Sequence, residues 1–263
     1  MVGQHNRRTL ECVLLDLNTQ GDFLGPGAAC LVKNAPQLLS AMRRVVAWAK
    51  WNHIPVISSI DSHRDSENTH DGFARHCIDG TPGQRKVPFT LLGSRIRIEG
   101  DNTLSVPLNL FGRHQQVIFR KRTHDLFGNP KADHFLSQLP TKEYILFGVG
   151  VEYSLKTLAL GLLARHKPVT VVMDCCGFWS GSLADLAFRQ MKAKGALLVT
   201  VEELLRRRLK RRFRYPLHPD VSGGNGNGRQ RGNGRGGERN GSARNRADTS
   251  GNGRQTGSRS QSE

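Results

Sequence analysis

Six apolar runs rich in β-branched residues recur along this chain: Cys12–Leu17, Pro55–Ile60, Gln116–Arg120, Tyr144–Val149, Val169–Asp174 and Ala196–Thr200. Between them lie segments with helical spacing of apolar residues: Ala35–Trp51, Ala132–Gln138, Glu152–His166 and Ser182–Lys194. A terminal amphipathic stretch, VEELLRRRLKRRF, follows the last run. Strands alternating with helices of this size mean βαβ units, and these require parallel pairing and right-handed crossovers. A parallel sheet is covered on both faces, so its strands read as near-continuous apolar runs. The expected class is therefore α/β, with chemistry gathered at the carboxyl ends of the strands. The pattern lapses between Asp61 and Gln115, a stretch rich in His, Gly and Pro. A connection of that length inside a compact domain is usually functional.

The 263 residues carry a formal net charge of +17, unevenly spread. RRRLKRRFR, residues 206–214, holds seven cations, and from Pro216 onward eight Arg face four acidic residues. That last segment is built from Gly, Asn, Arg and Ser, too apolar-poor to offset its ordering entropy, and is expected to be disordered. The organisation read from the sequence is one domain over 10–206, the basic end of a terminal helix over 207–215, and a disordered tail over 216–263. Such basicity suits nucleic acid or another polyanion as partner, or simply keeps the chain solvated. No apolar stretch reaches the ~18 residues of a membrane span. The N-terminal apolar run is short and leads into acids, which fits a strand rather than a signal peptide. Cysteines 12, 30, 77, 175 and 176 are odd in number and sit in apolar settings, as reduced thiols of a cytoplasmic protein do.

Polar residues stand at four strand ends. Asp16 ends the first run, Asp61 with His63 the second, and Arg120–Lys121 the third. The fourth leads into GVGVEYSLK, a strand–turn–helix corner that carries Ser154. Corners of this kind hold a nucleophile above the sheet edge. An acid, a lysine and a hydroxyl meeting there would make a nucleophile, its base and an orienting group. Singly, each residue has a plainer reading: a turn-capping Asp, or a solvated Lys.

Together the segments resemble a known family. VLLDLNTQGDFLGPGA, ISSIDSHRDSE, RHCIDGTPGQRKVPFTLL, FRKRTHDLFGNP and GVGVEYSLKTLALGLLARHKPVTVVMDCCG match, in order, the motifs of the isochorismatase-like cysteine hydrolases, nicotinamidase-related amidases above all. The resemblance implies a three-layer α/β/α fold around a six-stranded parallel sheet, a small-molecule substrate, and a homo-oligomer. It implies a catalytic Asp, Lys and Cys, which fall on Asp16, Lys121 and Ser154. The backbone N–H groups near Val151 and Ser154 would form the oxyanion hole. It also implies a divalent metal, usually zinc, held by Asp61, His63 and His76; two imidazoles and a carboxylate leave positions open for water and substrate. Taken alone, those three residues read more readily as a turn cap and two surface imidazoles than as ligands.

Ser154 stands where the family has its cysteine. A thiol is partly ionised at neutral pH, whereas a serine hydroxyl needs a base during attack. The expected function is a hydrolase of the isochorismatase and nicotinamidase type acting on a small amide or related C–N or C–O bond. The alternative is an inactive, ligand-binding relative whose basic tail contacts polyanions. Within the first reading, a route without a covalent intermediate and a metal-assisted serine both stay open.

Overall fold

The computed structural model describes residues 9–67, 72–100 and 106–207. The expected tail and all but the first residue of the basic helix end lie outside the described residues. Seven strands form one sheet: β1 Val13–Leu17, β2 Val56–Asp61, β3 Arg95–Ile98, β4 Gln116–Lys121, β5 Tyr144–Val149, β6 Val169–Gly177 and β7 Leu197–Val199. Their order is β3-β4-β2-β1-β5-β6-β7, and every pairing is parallel. The chain thus starts in the middle of the sheet and winds outward in both directions. The point where the order reverses lies between β1, β2 and β5, where ligands collect in open α/β sheets.

The helices are α1 Gly21–Leu24, α2 Ala35–Trp51, α3 Pro130–Gln138, α4 Lys156–Ala164, α5 Gly181–Ala193 and α6 Val201–Leu205. Alternate strand residues feed two apolar layers. Leu15, Leu17, Val117 and Leu146 pack with Phe135 of α3, Leu158 of α4 and Met191 of α5. Leu14, Val56, Ile145 and Val172 pack with Leu38 and Met42 of α2 and Leu204 of α6. This is the expected three-layer α/β/α arrangement.

The structure differs from the sequence reading in three places. A seventh strand, β3, lies inside the His/Gly/Pro-rich stretch and forms the sheet edge beside β4. The expected helix 152–166 opens as a π-helical turn, Val151–Leu155, before α4 begins. The terminal helix ends at Leu205, with Arg206 as its C-cap. Among the described residues, no helix is long and apolar enough to cross a membrane. All five cysteines are free and buried, and burial pushes the Cys30 thiol up to about 11 and Cys12 to about 12. They behave as small apolar side chains rather than reactive thiols.

Candidate functional site

The site is assembled where β1, β2, β4 and β5 end. Asn18 follows β1 in the left-handed region (φ 51°), so the chain turns off the sheet at that residue. The next polar residues of the same motif then secure the long excursion. Gln20 accepts from the Asp61 N–H at 2.7 Å and donates to the Asp61 carbonyl at 2.8 Å, acting as one more strand partner for β2. Asp22 accepts from the Cys77 N–H at 2.6 Å, which fixes the neighbouring His76. The corner after β5 depends on two glycines. A Cβ on Gly148 (φ 133°) would lie 2.1 Å from the Leu17 carbonyl oxygen, and Gly150 (φ 86°) starts the π turn. Only glycine adopts such conformations without cost.

Ser154 sits in that turn, 2 % exposed. Its Oγ accepts from Asn18 Nδ2 at 3.2 Å and from Lys121 Nζ at 3.3 Å. Ser59 donates to Asn18 Oδ1 at 2.9 Å, which turns the amide nitrogen toward Ser154. Lys121 is ion-paired with Asp61 Oδ1 and also donates to the Thr123 carbonyl at 3.0 Å. Val151 and Ser154 both lie in the opening turn of the helix, where N–H groups lack intrahelical acceptors.

Lys121 and Ser154 therefore meet, but Asp16 does not join them. Asp16 pairs in register with Ser58 of β2, which in turn pairs with Ile118 of β4 and, beyond it, Arg97 of β3. Residues in register across a sheet share a face. The carboxylate therefore leaves the sheet sideways, below the strand ends. It accepts from Thr19 Oγ1 at 2.7 Å and Ser58 Oγ at 3.0 Å, and pairs with Lys86 Nζ at 2.8 Å. The residue facing Ser154 and Lys121 from β1 is Asn18, two positions on.

The expected metal ligands are neighbours without forming a ligand set. The His63 and His76 rings stand 5.0 Å apart, centroid to centroid. His76 Nδ1 bonds the Ala74 carbonyl at 2.8 Å, an orientation that suits a metal-binding imidazole. His63 Nδ1 faces Glu67 at 3.6 Å, and burial lowers its pKa. The carboxylate of Asp61 is committed to Lys121. Among the described residues, no three His, Cys, Asp or Glu side chains are grouped to hold a metal ion. As placed, Asp61, His63 and His76 are not gathered into a ligand set for the implied zinc.

Aromatic side chains that sequence reasoning missed close the site. Phe23, Phe73, Tyr153 and Trp179 line it, with His124 stacked on Tyr153 at 5.0 Å and Phe73 4.7 Å from Trp179. Glu152 holds this wall, accepting from the N–H groups of Trp179 (2.8 Å) and Ser180 (2.7 Å). The cavity between these rings, Asn18 and Ser154 is only about 10 Å³, near the space of one water. These residues are far apart in sequence, and no local pattern ties them together.

Residues 95–203 match the family model for the isochorismatase domain. No curated protein matches. Among solved structures, the fold is similar to the pyrazinamidase of Pyrococcus horikoshii in complex with zinc (TM-score 0.58, 20 % identity, 72 % of this chain and 99 % of that one). It is similar to N-carbamoylsarcosine amidase from Thermoplasma acidophilum (TM-score 0.57, 15 % identity, 73 % and 98 %). It is also similar to the MAR1 ribonuclease from Caenorhabditis elegans (TM-score 0.51, 21 % identity, 75 % and 81 %). The chain thus has the fold of these pyrazinamidase and amidase structures, and within it residues 95–203 match the isochorismatase domain.

Proposed function

We propose that this chain is an isochorismatase-like protein that keeps the family's pocket for a small, flat ligand and does not hydrolyse amides through a covalent intermediate. One observation carries the reading: the two partners of Ser154 Oγ, Asn18 Nδ2 and Lys121 Nζ, are both donors. A hydroxyl must hand its proton to a base as it attacks. An amide nitrogen cannot take it, and Lys121 already donates to Asp61 and Thr123. Two changes thus separate this site from a working thiol amidase: Ser154 at the nucleophile and Asn18 at the acid. The aromatic wall of Phe23, Phe73, Tyr153 and Trp179 suits a flat ligand. A zinc ion is not required for this reading, since Asp61 serves Lys121.

A turnover screen with nicotinamide and simple amides tests it. Wild type should give no turnover above buffer, Ser154→Cys little, and Asn18→Asp with Ser154→Cys a measurable rate. Wild-type turnover that disappears in Ser154→Ala would overturn the proposal.

A second reading has its own support. The 206–214 cations form a block that suits polyanions, and one protein of this fold is described as a ribonuclease. Neutralising the arginines of 206–214 should then weaken RNA binding and flatten its salt dependence.

A further inference from the structure

A second concavity lies away from the Ser154 pocket, on the face of the sheet where Asp16 is buried. Its volume is about 700 Å³, within the range of ligand sites, against about 10 Å³ for the aromatic pocket. Ile60 of β2 and Ile118 of β4 lie in its floor, Arg95 and Arg97 of edge strand β3 form one wall, and Arg85 and Lys86 of the long excursion form the other. No carboxylate lines it among the described residues.

The charge is arranged rather than scattered. In β3, period-two alternation turns Ile96 and Ile98 toward the core and leaves Arg95 and Arg97 exposed on the other face. Their Cα atoms are then one strand repeat, roughly 6.6 Å, apart. Arg95, which lines the cleft, is steadied by donating from one Nη to the Leu92 carbonyl at 2.7 Å. Arg85 faces it from the opposite side. Lys86 contributes its stem, because its ammonium is committed to Asp16. The next acid along the strand, Glu99, is paired with Arg120 at 2.6 Å and does not neutralise this wall. Charged edge strands can serve only to block edge-to-edge pairing. That role asks for charge along the edge; it does not ask for a third cation supplied across a cleft by a separate segment.

We infer that this cleft is a phosphate-binding groove for a single-stranded nucleic acid, with Arg95, Arg97 and Arg85 on successive phosphates and the Ile60–Ile118 floor beneath a base or sugar. Guanidinium groups take phosphate oxygens in a bidentate fork, and a positively charged groove that tracks the backbone is how single strands are held without sequence preference. The cleft shares no lining residue with the Ser154 pocket, and it requires neither reading of function above.

The test is fluorescence anisotropy of the full chain with a short labelled oligouridylate, titrated between about 50 and 200 mM salt. Arg95→Ser with Arg97→Ser should weaken binding at least about tenfold. It should also lower the salt slope by about 1.4, since each phosphate neutralised on a single strand adds about 0.7 to that slope. Arg85→Ser, from the other wall, should lower the slope by about half as much, and Arg95→Lys with Arg97→Lys should restore most of it. Circular dichroism confirms that each variant is folded. Unchanged affinity and slope in both Ser variants, with all weakening confined to neutralisation of 206–214, would overturn the inference. So would displacement of the oligonucleotide by equimolar inorganic phosphate, which would mark a site for a free anion.

Discussion

Two buried Lys–Asp pairs stand close together in this sheet, alike in kind and opposite in surroundings. Lys86–Asp16 lies on the sheet face, its side chains 3 % and 1 % exposed; Lys121–Asp61 lies at the strand ends, at 1 % and 7 %. Around Asp16 the polar groups are all satisfied by one another. Thr19 and Ser58 donate to the carboxylate, Gln116 donates to Ser58 at 2.8 Å, and the Gln116 amide also bonds the Thr90 carbonyl and the Leu92 N–H, each at 2.9 Å. Burial pushes the Lys86 pKa down, and the Asp16 charge opposes that shift. Around Lys121 the ammonium meets Asp61, the Thr123 carbonyl and Ser154, and two of these partners, Asp61 and Ser154, line the aromatic-walled space. The same ion pair is structural where its neighbours close around it, and available for chemistry where a third polar group adjoins it.

Breaking the closed pair should have the largest effect. Lys86→Met leaves a buried carboxylate without its counter-ion, and such changes cost about 3–5 kcal/mol. Replacing both members, Lys86→Met with Asp16→Leu, should recover most of that, because a buried pair exchanged for apolar groups is often near neutral. Urea unfolding of the two single variants and the double gives the coupling directly. Additive destabilisation would mean that the pair is not the unit described here.

Breaking the open pair should cost less and reveal more. Lys121→Met leaves Asp61 at a pocket wall that ligand or water can reach, for a destabilisation of about 1–3 kcal/mol. It also frees the carboxylate to join His63 and His76, whose rings are already 5.0 Å apart. The variant should therefore take up about one equivalent of zinc more tightly than wild type, read by calorimetry. Equal zinc affinity in the two proteins would show that Lys121 is not what keeps the three ligands from acting together.

The contrast between the pairs also explains what could be read from sequence. The parallel sheet was legible because burial on both faces writes itself as runs such as Tyr144–Val149, buried throughout, and α2 was expected and found at Ala35–Trp51. β3 was not legible, since an edge strand of four residues reading Arg-Ile-Arg-Ile has one wet face and no apolar run. Lys121 and Ser154 could be placed at the site because each ends or follows a strand. Asp16 and Asn18 are two residues apart in one motif, and which of them reaches the pocket depends on the left-handed turn at Asn18. Periodicity does not record a single backbone angle. The wall of Phe23, Phe73, Tyr153 and Trp179 is a product of long-range closure, so its members look like ordinary core residues in sequence.

The smallest effect gives the finest comparison, because it removes one hydroxyl beside each pair. Thr19 Oγ1 donates to the Asp16 carboxylate at 2.7 Å inside the closed network. Ser154 Oγ accepts at 3.2 and 3.3 Å from Asn18 and Lys121, and Lys121 keeps Asp61 and Thr123 as acceptors. Both hydroxyls bond a buried charge, a contact worth about 1.5–3 kcal/mol at good geometry, but Thr19 reaches Asp16 at 2.7 Å whereas Lys121 reaches Ser154 at only 3.3 Å. Thr19→Ala should therefore destabilise the fold more than Ser154→Ala, by about 1 kcal/mol or more. Chemical denaturation of the two variants under identical conditions checks the order. A Ser154→Ala destabilisation equal to that of Thr19→Ala would mean that the hydroxyl at the nucleophile position is held for stability, and that the pocket pair is as closed as its neighbour.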